Sequence, residues 1–334
     1  MCGMDDLQEC RKMLRGGSRS FFAAGRLLPG RVMQPATALY AFCRVADDWI
    51  DQGRGPLSAL QRRLDLIYAG APADDPADRA LAAVVASHHL PRALLDGLLE
   101  GFAWDAQGRR YDDLPALEAY AARVAGTVGA AMAVLMDVRD ADRVARACDL
   151  GIAMQLSNIA RDVGEDARAG RLYLPLSWLR QAGIDPDAWL ASPVFTPALG
   201  AVVTRLVQTA EGYYARADAG IAALPWDCRP GIGAARRLYA SIGHKVLQKQ
   251  GNSVDTRAFV SARQKLALLG QALAASLMPG TAAAHAPAAP AVRHLVAAVA
   301  ATAVRPRPGG LIRLIELFAE LNARQAASAA RGRA

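Results

Sequence analysis

Tyr40-Ala41-Phe42-Cys43-Arg44-Val45-Ala46-Asp47-Asp48-Trp49-Ile50-Asp51 is the stretch on which the reading of this 334-residue chain turns. At 3.6 residues per turn, Tyr40, Arg44, Asp47 and Asp51 share one helix face, with Asp48 at its edge. Val45 and Ala46 are interspersed, so the helix is expected to be mostly buried. Carboxylates stacked on a buried stripe are costly unless cations sit against them. Mg2+ suits such a stripe, because it takes one or two carboxylates and completes its shell with water and phosphate oxygens.

A second stretch repeats the pattern more than a hundred residues on: Gln155-Leu156-Ser157-Asn158-Ile159-Ala160-Arg161-Asp162-Val163-Gly164-Glu165-Asp166. Gln155, Asn158, Asp162 and Asp166 fall on one face and Glu165 flanks it. Leu156, Ile159 and Val163 back the other side, so this helix also packs inward. Two such stripes can face one another across a cavity and clamp one diphosphate through a small group of metal ions. Either cluster alone reads equally well as a solvated helix face; the pair, with matching apolar backs, does not.

The rest of the chain is in keeping with a helical protein. Apolar residues make up 53% and aromatics only 6%, with Ala and Leu dominant, which favours helix over strand. Breaks fall at Leu28-Pro29-Gly30, Gly53 to Pro56, Ala71 to Pro76, Leu174-Pro175, Gly183 to Pro186 and Leu224-Pro225. Asp113 and Ser177 stand where N-caps are useful. The net charge of +8 points to anionic partners, but no Lys/Arg run is interleaved with aromatics, so nucleic acid is not expected. Five cysteines without C-x-x-C spacing indicate neither a disulfide framework nor a zinc site, and the histidines read as structural or exposed. The acidic N-terminus is no signal peptide, and the most apolar stretch, Leu266 to Met278, is shorter than the ~20 residues a bilayer span needs. A cytoplasmic protein is expected. Three regions are expected: an N-terminal extension over 1–17, a catalytic domain over 18–278, and an Ala/Pro-rich connector with a helical tail over 279–334. That tail is the expected place for any peripheral membrane contact.

These motifs occur in an order that resembles the squalene/phytoene synthase family from about Ser18 to Lys265. Ser18-Arg19-Ser20-Phe21 before Leu27-Leu28-Pro29 looks like its N-terminal substrate motif, and Asp47 to Asp51 like its first aspartate-rich motif. Tyr120 with Val124-Ala125-Gly126-Thr127-Val128-Gly129 is similar to its central helix. Asn158 to Asp166, running on to Gly170-Arg171-Leu172-Tyr173-Leu174-Pro175, looks like its second motif, and Arg236-Arg237-Leu238-Tyr239 like its later tyrosine-bearing helix. The run from Asp166 to Pro175 is most similar to bacterial phytoene synthases.

The resemblance implies an all-α isoprenoid-synthase fold around a deep central cavity, and a head-to-head prenyl transfer joining two geranylgeranyl diphosphates. Two successive ionisations would pass through a cyclopropylcarbinyl diphosphate and end in proton loss, without NADPH. On this reading Asp47, Asp51, Asn158, Asp162 and Asp166 hold Mg2+, with Mn2+ and a nucleotide activator such as ATP left open. Arg44, Arg161 and Arg171 touch diphosphate oxygens, although Arg161 could simply pair with Glu165. Ser18, Arg19, Ser20, Phe21, Gln155 and Tyr40 complete the phosphate end. Tyr120 and Tyr239 steer the cations or the proton, and Val124 and Val128 line the same face as Tyr120. Small Ala23, Ala24, Gly25 and Thr37 leave room for a C20 tail. The rivals are a C30 synthase, a terpene cyclase, and a non-catalytic assembly factor of the same fold.

Overall fold

The computed structural model describes residues 4–17, 19–276 and 286–302. In chain order the helices are α1 (Met4–Gly17), α2 (Arg19–Gly25), α3 (Gly30–Asp51), α4 (Leu57–Tyr68), α5 (Pro76–His88), α6 (Arg92–Ala106) and α7 (Leu114–Ala121). A π-helical turn, Ala122–Gly126, joins α7 to α8 (Thr127–Leu135). Next come α9 (Ala141–Arg168), α10 (Leu176–Gln181), α11 (Pro186–Ala191), α12 (Pro197–Ala222), α13 (Arg229–Gln248), α14 (Ala262–Ser276) and α15 (Arg293–Ala301). No strand occurs among the described residues, as the composition predicts.

Helices start and stop where the local chemistry requires. Asp75, Asp113, Asp140 and Thr196 cap α5, α7, α9 and α12 by accepting bonds from first-turn N–H groups, satisfying donors that no helix can satisfy itself. Ser177 departs from expectation. It lies inside α10, whose cap position is Pro175, because proline already fixes the entry backbone there.

The long helix α9 is the axis of the bundle. It packs on α8, α12, α13, α15 and the π-helical turn. Its apolar back, with Ile152, Ala153, Leu156, Ile159 and Ala160, is almost wholly buried. Each large aliphatic side chain among them contributes about 1.5–3 kcal/mol by leaving water. Two glycines let α8 and α9 touch at the backbone. A Cβ at Gly129 would lie 2.1 Å from the Ala147 carbonyl oxygen, and one at Gly151 would lie 2.2 Å from that of Ala125. This contact brings the middle of the chain against the second acidic helix.

The ends pack more than the sequence suggests. In α1, Cys10 and Leu14 are fully buried, and Arg79 ties α5 back to Asp6 at 2.6 Å. The expected catalytic domain ended at Met278, yet residues 286–302 return to the body. Val292, Leu295 and Val299 are buried, and α15 packs on α6, α8 and α9. The rest of the expected helical tail, residues 303–334, lies outside the described residues.

Candidate active site

The acidic stripes meet. Arg171, at the end of the second motif, donates to Asp51 of the first at 2.6 Å, across 120 residues of sequence. Between the stripes stands a carboxylate absent from the sequence expectations, Asp105 on the last turn of α6. It accepts from the hydroxyls of Tyr120 and Tyr173, each at 2.8 Å. The rings of Tyr111, Tyr120 and Tyr173 stack around it with centroids 5.1–6.2 Å apart. The signal for Asp105 was present in principle, since it continues the apolar stripe of Leu94, Leu98 and Phe102 as its one charged member.

Negative charge accumulates here. Burial, and then Asp51 beside it, push the Asp47 carboxyl up to about 6. Burial and Asp162 push Asp166 up to about 7. Asp105 is also raised, chiefly by burial, although its two tyrosine donors oppose the shift. Burial and mutual repulsion outweigh the neighbouring Arg44 and Arg171, which pull Asp47 and Asp166 down.

The arginines are held by the same acids. Arg44 grips Asp48 at 2.6 Å and Asp47 at 3.4 Å on its own helix. Arg161 pairs with the adjacent Asp162, with Nε 2.7 Å from Oδ1, and not with Glu165, the alternative that helical spacing offered. Arg257, unforeseen from sequence, binds Asp162 at 2.7 Å and Glu165 at 3.2 Å. It sits in a loop, where no periodicity could have marked it.

Below the acids opens an apolar cavity of about 290 Å³. Tyr40, Cys43, Gln155, Asn158 and Tyr239 line it at the acidic end. Asp47, Asp51, Asp162 and Asp166 lie one to three turns farther along the same helices, α3 and α9, and form its mouth. Its walls are small or aliphatic: Ala24, Gly25, Ala36, Val124, Val128 and Gly151, with Phe21 stacked on Tyr40 at 5.9 Å. Its far end carries Met136, Arg143, Arg146 and Ala147. There Arg146 and Arg216 converge on the fully buried Asp149 at 3.3 and 3.0 Å, and Arg216 donates to the Pro287 carbonyl at 2.8 Å.

Two expectations need correction. Tyr120 does not share the wall with Val124 and Val128; its hydroxyl is committed to Asp105. The π-helical turn between them winds less per residue and falls about one residue, roughly 100°, short of the α-helical count, which separates the faces. Thr37 is fully buried but lines nothing, its hydroxyl bonding back to the Met33 carbonyl; neighbouring Ala36 takes the wall position, and Ala23 is off it. Ser18 and the side chains of Arg19 and Ser20 lie outside the described residues.

The donor set fits a hard divalent cation. All the oxygens are carboxylate or amide, and the raised Asp47 and Asp166 call for positive charge. Among the described residues no three acidic, His or Cys side chains close on a single ion, so each ion would rely on water and substrate oxygens for most of its shell.

The family model for squalene/phytoene synthase matches residues 14–265. The chain belongs to the squalene/phytoene synthase family. It is 49% identical to the phytoene synthase of Cereibacter sphaeroides, over 97% of this chain and 95% of that one. It is 51% identical to the phytoene synthase of Rhodobacter capsulatus, over 90% and 92%. Among solved structures it is similar to a dehydrosqualene synthase in complex with ligand. That likeness has a TM-score of 0.76 and 33% identity, covering 81% of this chain and 96% of the other. Members of the family are generally divalent-metal-dependent prenyltransferases.

Proposed function

We infer that this protein is a prenyltransferase that joins two geranylgeranyl diphosphates head to head into phytoene, releasing both diphosphates. The depth of the cavity carries the choice of substrate. Asn158 and Arg143 both line it on α9, and fifteen residues of helix span about 22 Å. With bonds of ~1.5 Å, an extended C20 tail of sixteen chain carbons needs about 20 Å, whereas a C15 tail needs about 14 Å. A C30 synthase would leave the far third of this cavity empty.

Asp47, Asp51, Asn158, Asp162 and Asp166 are the residues that would hold Mg2+. When bound, the ions supply positive charge to the departing diphosphate. Arg171 stands where it can leave Asp51 for a diphosphate oxygen, and Arg161 and Arg44 offer the same exchange from Asp162 and Asp48. Tyr40 and Tyr239 mark the boundary between mouth and cavity, where the cationic carbons form. Beyond them the wall offers no strong nucleophile, and its aliphatic side chains keep water away from the cation. Tyr120 acts differently from the sequence expectation: it fixes Asp105 behind the metal-binding face.

Action in the cytoplasm is part of this reading. Among the described residues no cysteine is in a disulfide, and no helix is long and apolar enough to cross a membrane. Incubating the purified protein with Mg2+ and either C20 or C15 diphosphate, with and without NADPH, tests the reading. Phytoene from the C20 substrate without NADPH is the expected result; preference for C15 would overturn it.

A further inference from the structure

Helix α14 is attached differently from the rest of the body. It packs chiefly on α13. Its inner face, Leu268, Leu269 and Ala272, joins Ala24, Leu27, Ala234, Ala235 and Leu238 in a small cluster separate from the main core. Ala24 and Ala235 of that cluster also line the cavity. A single layer of alanines therefore stands between the cavity and this helix.

The outer face of α14 is apolar and uncovered. Leu266 is 72% exposed and Leu273, two turns on, 45%; Phe259, just ahead of the helix, is 74% exposed. These are three of the six large apolar residues exposed among the described residues, gathered within fifteen positions. Scattered single exposures are ordinary, but an aligned stripe marks a contact surface. The charge along it has one sign. From Thr256 to Ser276 the sequence contains no Asp or Glu, while Arg257, Arg263 and Lys265 are basic. Arg263 is exposed beside Leu266. The stretch also begins at the mouth, where Arg257 binds Asp162.

We propose that the outer face of α14, with Phe259, is the docking surface for an anionic phospholipid bilayer. An apolar stripe bordered by cations, with acids absent, matches headgroup phosphates above and acyl chains below. Docking there sets the mouth and the alanine wall beside the bilayer. In the activity inferred above, on which this consequence rests, the product has lost both diphosphates. A hydrocarbon of that size has a poor path back through a ring of carboxylates and arginines. The thin wall between α2, α13 and α14 offers an apolar path into the adjoining lipid.

The test is flotation of the full chain with vesicles of phosphatidylcholine alone or with added phosphatidylglycerol, at low and high salt. The parent should float with the anionic vesicles, more weakly as salt rises. The L266D/L273D variant should lose about tenfold or more of that binding, and R263E/K265E should lose the preference for anionic vesicles. Helicity by circular dichroism and turnover in detergent should be kept by both, since none of these four side chains lines the cavity. Equal flotation of the parent and L266D/L273D would overturn the proposal, as would a parent that binds neither vesicle. A parent that is dimeric without lipid, and that L266D/L273D makes monomeric with vesicle binding intact, would assign the face to a second copy instead. Flotation does not depend on turnover, so failure of the inferred activity would show separately in the product assay.

Discussion

Ala147 should act as a gauge of tail length. It lines the cavity on α9, eleven residues below Asn158, or about 16 Å along the helix axis. A phenylalanine there would stop a tail near that depth. A C15 tail of about 14 Å still fits, whereas a C20 tail of about 20 Å must leave roughly its last isoprene unit outside. Five carbons at ~0.8 kcal/mol each amount to about 4 kcal/mol, or a factor of about a thousand in kcat/KM. Both substrates must be seated before they react, so blocking either tail is enough. The assay is the ratio of kcat/KM for C20 over C15 in the parent and in Ala147→Phe, with a thermal melt to confirm folding. Overpacking can cost about 1–3 kcal/mol of stability, which lowers the melt without changing the ratio. A folded variant with an unchanged ratio would refute the geometry.

Arg171→Ala should lower kcat/KM a hundredfold or more while Tm moves little. Its pair with Asp51 is half-exposed, and such pairs contribute about 0–1 kcal/mol to folding; a large drop in Tm with turnover kept would reverse the assignment. Asp166 gives a pH signature. Its folded carboxyl titrates at about 7 against an ordinary value of 3.8, so its contribution to stability is present below that ordinary value and lost as pH rises through 7. Metal-free Asp166→Asn should therefore melt higher than the parent at alkaline pH, by about 1–2 kcal/mol after solvent screening, and equally near pH 4. Saturating Mg2+ should remove the advantage, and a difference independent of pH would contradict this account. Tyr120→Phe leaves Asp105 one hydrogen bond short and should cost about 1–3 kcal/mol by denaturant melt; a loss of turnover with no loss of stability would place that hydroxyl at the substrate instead.

The sequence made the bundle legible because helix breaks, caps and apolar backs are local properties. The same holds for both acidic faces, each a matter of 3.6-residue spacing within one helix. What escaped depends on where separate segments meet. Asp105 gains its meaning only from Tyr120 and Tyr173 arriving from elsewhere in the chain. Arg257 comes from a loop with no pattern to count. The contact of Arg161 with Asp162 escaped because helical spacing counts partners three or four residues away, such as Glu165, and not the next residue. Tyr120 and Val124 were placed on one face because the count assumed an unbroken α-helix.

That interruption also constrains how the family can vary. Removing any one residue between Ala122 and Gly126 would let the backbone settle into a uniform spiral, with every bond reaching four residues rather than five. A turn that closes over five residues winds less per residue, so its five residues cover about the angle that four cover at roughly 100° each, and the segments on either side of the cut would keep their orientation. Tyr120 would stay on its carboxylate and Val128 in the greasy channel. Loss of one residue is therefore the length change this small irregularity should absorb, whereas loss of two would swing one surface away by roughly 100°.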